Sequence, residues 1–287
     1  MGKINEASVV TCYNHKGGVA KTVSVVNLAA VTALAGKKVL IIDLDFQGNA
    51  SQALDVQGSE NQKDVIDFIY NKAEIDEVLK HSEFNIDVLP NNAKYEQPDR
   101  YHIQGGYDNN SRSIFFIKDR IKSLISQYDL ILIDTNPSHN IWNDMAMTAS
   151  NYIIIPVNTD SASSDGITKT LKNYIKIKKN YNNNLGLLGV LLTRVKSRTN
   201  LAKEKYDSYG DLLKNARLKS VIRDDNNIMD AMSHYMPVYY FNPKTNAGTD
   251  YIEAAREMGF ISLSDYTTLK KQYSSDKNEF RMTGVEE

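Results

Sequence analysis

The chain has 287 residues, 41% hydrophobic and 24% charged, with a formal net charge of -1. That balance suits a globular protein with a sizeable core, and it gives no global field to recruit an anionic partner, so such a partner must meet a local patch. The single cysteine, Cys12, excludes an internal disulfide and a cysteine-rich metal site. A reducing, cytoplasmic setting is expected. The N-terminus does not resemble a signal peptide, and no apolar run is long enough to span a bilayer.

In chain order, residues 8–13 read as a short β-rich strand, and residues 23–35 are apolar almost all round, as in a buried helix. Between them lies Asn14-His15-Lys16-Gly17-Gly18-Val19-Ala20-Lys21-Thr22. Such a turn aims backbone N–H groups at one point, where the helix dipole adds positive charge. Gly17 and Gly18 permit close approach of a bulky anion. Lys21 is placed to reach phosphate oxygens, and the Thr22 hydroxyl to ligate Mg²⁺. The ordinary Walker pattern is G-x-x-x-x-G-K-[ST]; here Lys16 and Ala20 replace its two glycines.

Gly36 predicts the helix stop. Val39-Leu40-Ile41-Ile42 then reads as a strand buried on both faces, followed by Asp43-Leu44-Asp45-Phe46-Gln47-Gly48-Asn49. Residues 62–80 read as a helix and 84–89 as a strand. Residues 91–112 read as an irregular excursion without chemistry. A helix over 113–126 leads into Leu130-Ile131-Leu132-Ile133-Asp134, a strand ending in a Walker B-type aspartate for Mg²⁺.

Strands are predicted at 152–156, 187–192 and 219–222, and helices at 165–181, 201–215, 225–234 and 247–258. In the 165–181 helix Ile167, Leu171, Tyr174 and Ile175 form the expected inner face, and Lys169, Lys172, Lys176 and Lys179 an outer stripe. Alternating strands and helices predict an α/β fold, a doubly wound, mostly parallel sheet flanked by helices. One domain over 1–273 and a polar tail over 274–287 are expected. The phosphate loop, Asp43-Leu44-Asp45 and Asp134 all fall at the carboxyl ends of strands, where open α/β sheets place ligands, and so converge on one Mg-nucleotide.

These segments resemble the ParA family of DNA-partition ATPases, within the ParA/MinD group of deviant Walker P-loop NTPases. The matching residues are Lys16 to Thr22, Asp43 to Asn49 and Asp134-Thr135-Asn136-Pro137, with weaker likeness in Gly189 to Thr193 and Arg198 to Leu201. The resemblance covers about residues 8 to 260. It implies a Mg²⁺-dependent ATPase of slow intrinsic turnover, with ATP, ADP and Mg²⁺ as ligands. Residues Lys16, Gly17, Gly18, Val19, Ala20, Lys21, Thr22 and Val23 would hold the nucleotide. Lys16 would be the signature lysine that reaches across an ATP-dependent homodimer, and Asp45 the aspartate beside the attacking water. Thr22, Asp45 and Asp134 would surround the metal. The implied partners are non-specific DNA and a ParB-like or other centromere-binding protein, with a nucleoid-associated cytoplasmic location and no membrane.

The family commonly has Gly at the position of Ala20, Thr at that of Val23 and Pro at that of Asn136. Altered affinity rather than lost binding is expected from the first. No N-terminal helix-turn-helix is expected, hence no operator recognition. Two DNA surfaces are candidates: the lysine stripe, and residues 194–223, with nine basic side chains (Arg194, Lys196, Arg198, Lys203, Lys205, Lys214, Arg217, Lys219, Arg223) against three acidic (Glu204, Asp207, Asp211). The family's basic motif before the last helices is poorly matched at Asn226-Asn227. The rival reading is a MinD-like membrane positioning ATPase. Residues 264–287 carry few large apolar groups without helical regularity, which argues against an interfacial helix. A nitrogenase iron-protein role is disfavoured by the lone cysteine, and a tyrosine kinase by the scattered tyrosines. A nucleotide-dependent scaffold that does not hydrolyse stays open, because Lys16 and Asp45 only imply catalysis.

Overall fold

Short runs of β-branched residues and leucine build the centre of the molecule, seen in a computed structural model that describes residues 7–94, 112–138, 140–158, 164–196 and 216–275. The strands are β1 (Ser8–Cys12), β2 (Val39–Asp43), β3 (Lys80–His81), β4 (Ile86–Leu89), β5 (Leu130–Asp134), β6 (Tyr152–Asn158), β7 (Gly186–Val195) and β8 (Arg217–Arg223). They form one sheet in the order β3-β4-β2-β5-β1-β6-β7-β8. Every neighbouring pair is parallel except β3 with β4. Strands β1, β2 and β5 are buried throughout, as their unbroken apolar sequence requires in a sheet covered on both faces.

Successive side chains of a strand point to opposite faces. Val10, Ile41 and Leu132 therefore pack with α1 (Lys21–Leu34) and a late helix over Asn246–Met258 through Val25, Leu28, Tyr251 and Ile252. Val9, Leu40, Ile131 and Ile133 pack on the other face with Phe68, Ile117 and Trp142. Ile153 and Ile155 extend that second layer onto Ile167 and Ile177. Truncating a fully buried leucine such as Leu132 to Ala should cost about 2–5 kcal/mol.

After α1 come α2 (Asn49–Ala53), α3 (Val65–Ile69), α4 (Ile75–Val78), α5 (Phe116–Ile121), α6 (Ile141–Ala149), α7 (Ser164–Asn180), α8 (Asn226–Ser233), α9 (Val238–Phe241), α10 (Asn246–Met258) and α11 (Leu263–Ser275). The late helix is held as its sequence suggests: Thr245 Oγ1 accepts from Gly248 N at 3.0 Å, and Gly259 closes the other end at φ 85°.

Several expectations need correction. The helix read over 62–80 is two pieces, because Asp64 and Glu74 each open a helix with a capping box and Asn71 turns left-handed at φ 58°. The helix read over 113–126 breaks into α5 flanked by 3-10 turns at Ser113–Phe115 and Ile125–Gln127. Its i→i−3 bonds, such as Leu124 N to Ile121 O at 2.9 Å, tighten the chain,. Ile175 is not on the inner face of α7 but 58% exposed; Thr170 and Ile177 are buried there instead. The tail expected from residue 274 begins inside a helix, α11, which runs on to Ser275. Leu269 is buried against the core, Tyr266 packs half-buried beside it, and Lys270 Nζ lies 2.7 Å from Glu253 Oε1, contacts that seat this helix on α10 and the core. The predicted 201–215 helix and most of the 91–112 excursion lie outside the described residues.

Candidate nucleotide site

The loop begins where β1 runs out of partners. Tyr13 N donates to Ile154 O at 2.9 Å, and the Asn14 side-chain amide then donates to Pro156 O at 2.8 Å. Pro156 has no N–H to continue the ladder, so the chain leaves the sheet. Beyond it, Asn158 Nδ2 donates to Gly18 O at 2.8 Å and Thr193 Oγ1 to Val19 O at 3.2 Å. Gly17 and Gly18 stay exposed. Gly18 sits at φ +71° with nothing within 4 Å of a notional Cβ, so its backbone angle, not crowding, calls for glycine,.

Ala20 is the N-cap of α1 at φ 63°, ψ 39°. A side chain in this left-handed region costs roughly 1–2 kcal/mol, which explains why the ordinary pattern carries glycine here. The alanine adopts the same backbone, so the loop keeps its path and the helix N-terminus still faces outward.

The candidate side chains lie at the carboxyl edge. Asp43 and Asp134 are register partners on β2 and β5, and Cys12 of β1 pairs with Asp134. Thr22 Oγ1 donates to Asp134 Oδ2 at 2.7 Å, and Lys21 Nζ to Lys16 O at 3.1 Å. Asp45 accepts from Gln47 N at 3.2 Å and from Asn49 Nδ2 at 2.8 Å. Asp43 accepts from Asp45 N at 3.0 Å and from Ser51 N and Oγ at 2.8 and 2.6 Å. The cap-like contact with Ser51 makes Asp43 the pin of the β2–α2 loop. Ser51 Oγ also accepts from Asn91 N at 3.0 Å. The start of the stretch expected to lack chemistry is thus tied to the site.

Burial dominates the electrostatics. It raises the Asp43 carboxyl to about 7 against three donated hydrogen bonds. Burial first, then the Asp43 carboxylate, holds Asp134 well above the usual carboxylate range, although the Thr22 hydroxyl pulls it down. Burial lowers Lys21 against the attraction of Asp134 and Asp45. Cys12 is pushed up by burial and is an inert core thiol,.

Burial disfavours the charged forms of Asp43, Asp134 and Lys21 alike, and a divalent cation beside the carboxyls would favour their ionised form,. Among the described residues no group of three His, Cys, Asp or Glu gathers to hold a metal. Mg²⁺ suits this arrangement, because it is usually bound by one or two protein oxygens plus substrate phosphates.

The structure ties Lys21 to the Lys16 carbonyl and Thr22 to Asp134, and links Asp45 to the same edge through its amide bond to Asp43, the register partner of Asp134; Val19 is buried and Val23 is half-buried on the first turn of α1. Sequence reading missed the anchors Asn158, Thr193 and Thr170. No local pattern marks them, since each reaches the loop from more than 130 residues away. Two members of the basic stretch are taken up by carboxylates: Arg194 pairs with Asp224 at 3.6 Å and Arg223 with Asp250 at 2.6 Å. Arg198, Lys203, Lys205 and Lys214 lie outside the described residues. On α7, Lys169, Lys172 and Lys179 are exposed, and Lys176 Nζ lies 3.2 Å from Asp144. No described helix is long and apolar enough to cross a membrane.

A glycine turn opening a buried helix, with a lysine beneath it and aspartates at the ends of two adjoining strands, defines a P-loop nucleotide-binding protein of the deviant Walker class. Residues 7–187 match the AAA domain family. The chain is 30% identical over 259 residues to the sporulation initiation inhibitor protein Soj of Bacillus subtilis (strain 168), covering 90% of this chain and 98% of that protein. It is 27% identical over 261 residues to the chromosome partitioning protein ParA of Caulobacter vibrioides (strain NA1000 / CB15N), covering 88% and 94%. The ATP complex of a Cyanothece McdA variant has the same fold, with a TM-score of 0.78 at 18% identity over 91% of this chain and 98% of that one. The septum site-determining protein MinD of Pyrococcus horikoshii OT3, complexed with Mg-ADP, gives 0.69 at 24% over 86% and 94%. The chain belongs to the ParA/Soj family of ATPases.

Proposed function

We propose that the chain is a DNA-partition ATPase that binds ATP with Mg²⁺, pairs with a second copy, coats DNA non-specifically and hydrolyses ATP when a centromere-binding partner stimulates it. The observation that carries this reading is the cluster of Lys21, Thr22, Asp134 and Asp45 at the open N-terminus of α1. The ATP phosphates would lie over Gly17 and Gly18, against the positive helix end. Lys21 would exchange its bond to the Lys16 carbonyl for phosphate oxygens.

Thr22 and Asp134, with Asp45 nearby, would hold Mg²⁺, which supplies charge neutralisation of the triphosphate when bound. Asp45, already oriented by Gln47 N and Asn49 Nδ2, would orient the attacking water. Lys16 would act in the partner subunit's site; a cation of this kind beside the transferring phosphoryl group is worth about 10³–10⁵ in rate. Turnover would be slow while the chain is unpaired, since Lys16 would act only when two copies meet, and the centromere-binding partner would raise it further.

The exposed lysines of α7 are the described surface best suited to phosphate backbones, and such binding weakens steeply with salt. The test is sedimentation of the full chain with random-sequence duplex or anionic vesicles, with ATP, ADP or no nucleotide, across a salt series. ATP-dependent, salt-sensitive retention on duplex is the expected result. Retention on vesicles and not on duplex would replace this reading with a MinD-like positioning ATPase.

A further inference from the structure

Consecutive amides of the nucleotide loop are held from different parts of the molecule. Gly18 and Val19 are tied by their carbonyls to β6 and β7, through Asn158 and Thr193. The segment before them is slung from a helix instead. His15 N donates to Thr170 Oγ1 on α7 at 3.1 Å, and Lys16 N to Asn14 Oδ1 at 3.0 Å. Those two acceptors touch each other, with Thr170 Oγ1 3.1 Å from Asn14 Oδ1. Thr170 is fully buried and Asn14 nearly so.

The hydroxyl has one proton and two acceptors in reach, Asn14 Oδ1 and the Gly166 carbonyl at 2.9 Å, so it donates to one at a time while accepting from His15. Helix α7 is seated independently of the loop. Ile167 and Ile177 are in the core, and Asn173 Nδ2 donates to Tyr13 Oη at 3.2 Å and Asp144 Oδ1 at 2.8 Å.

We propose that Thr170 is a positioning residue for Lys16: its buried hydroxyl fixes the His15–Lys16 main chain to α7, so that the helix sets where the Lys16 side chain starts. This deepens the proposed function and rests on Lys16 acting in hydrolysis. A threonine that bonds only its own i−4 carbonyl would be ordinary helix chemistry, but acceptance of the His15 amide has no place in that account. Because Gly18 and Val19 keep their own anchors on β6 and β7, loss of the Thr170 contact shifts the His15–Lys16 main chain and leaves the phosphate-facing glycines in place. Misplacement of a reacting group by about 1 Å can cost about 10²-fold in rate.

The experiment measures steady-state ATP hydrolysis and the affinity of a fluorescent ATP analogue for the full chain, comparing wild type with Thr170→Val, Thr170→Ser, Lys16→Ala and the Lys16→Ala/Thr170→Val double variant. Thr170→Val should lower kcat by about tenfold or more, with KM and analogue affinity within about twofold. Thr170→Ser, which keeps the hydroxyl, should recover most of the loss. In the Lys16→Ala background the valine should cost nothing further, as expected for two residues acting as one unit.

A fall in analogue affinity as large as the fall in kcat/KM, or a serine variant no better than valine, overturns the proposal. If Lys16→Ala is slow and the two losses multiply, Thr170 does not act through Lys16, and the function stands without it. If Lys16→Ala turns over like wild type, the role of Lys16 falls and this inference with it. With Lys16→Ala at background, the valine split and serine recovery decide alone; if thermal melts find the valine variant unfolded, Thr170→Ala takes its place.

Discussion

The two edges of the sheet hold charge in opposite ways. At the amino edge a cleft of about 660 Å³ is lined by Gly36, Lys37, His81, Asp87 and Tyr128 among others. Its ionic contacts face water: His81 Nδ1 lies 2.5 Å from Asp87 Oδ1 with the histidine 74% exposed, and Lys37 pairs with Asp129 at 3.9 Å. Pairs of this kind add little to stability. At the carboxyl edge Asp43 and Asp134 have no exposure at all and Lys21 has 7%. Taking such groups out of water is costly, and that cost is tolerated where a ligand returns it. An open cleft is therefore not by itself the mark of a ligand site here, whereas buried charge singles out the candidate edge,.

Substitutions at both edges sharpen this contrast. The largest effect is expected at Lys21→Ala, which should weaken ATP binding by about 100-fold or more, as loss of a charge-assisted contact worth about 3 kcal/mol implies. Unchanged affinity in a titration with a fluorescent ATP analogue would remove the site. Next, Asp134→Ala should reduce the Mg²⁺ dependence of nucleotide binding. An identical Mg²⁺ titration in variant and wild type would contradict the metal assignment.

A pH effect follows from Asp43, whose carboxyl rises from an ordinary 3.8 to about 7 on burial. The folded chain keeps a proton that the unfolded chain releases in this window. The group's contribution to stability is therefore full below about pH 4, declines as pH rises to about 7 and is flat above. Asp134 shifts in the same direction. Denaturant melts of the nucleotide-free protein from about pH 5 to about pH 8 should show wild-type stability falling relative to Asp43→Asn; a constant difference would count against the shift.

Smaller again, Ala20→Gly should raise stability by about 1 kcal/mol by relieving the left-handed alanine, read as a higher denaturant midpoint. A lowered midpoint would mean the alanine methyl packs more than its backbone strains. Smallest of all, His81→Ala at the amino edge should change stability by less than about 0.5 kcal/mol and leave ATP binding untouched; a large effect on either would break the contrast between the edges.

Much of the candidate site at the carboxyl edge was legible locally. Gly17, Gly18, Lys21 and Thr22 lie within one turn and helix start, and the aspartates follow unbroken apolar runs, so chain direction alone puts them at strand ends. Helix pieces were harder where capping competed with periodicity, as at Asp64 and Glu74. Ile175 fell outside because the apolar arc of α7 centres between Thr170 and Tyr174, and a buried threonine reads as polar in a pattern.

By itself the amino-acid sequence determined the parallel α/β class, the phosphate loop and the two aspartate-ended strands, because short-range spacing and strand burial are written in neighbouring residues. Only the tertiary structure decided that Asp43 and Asp134 stand side by side, and that Asn158, Thr170 and Thr193 hold the loop from β6, α7 and β7. It also decided that Arg194 and Arg223 are taken up by Asp224 and Asp250. Those are contacts across long chain separations, set by which strands adjoin and which helix packs over them, and no local pattern encodes them.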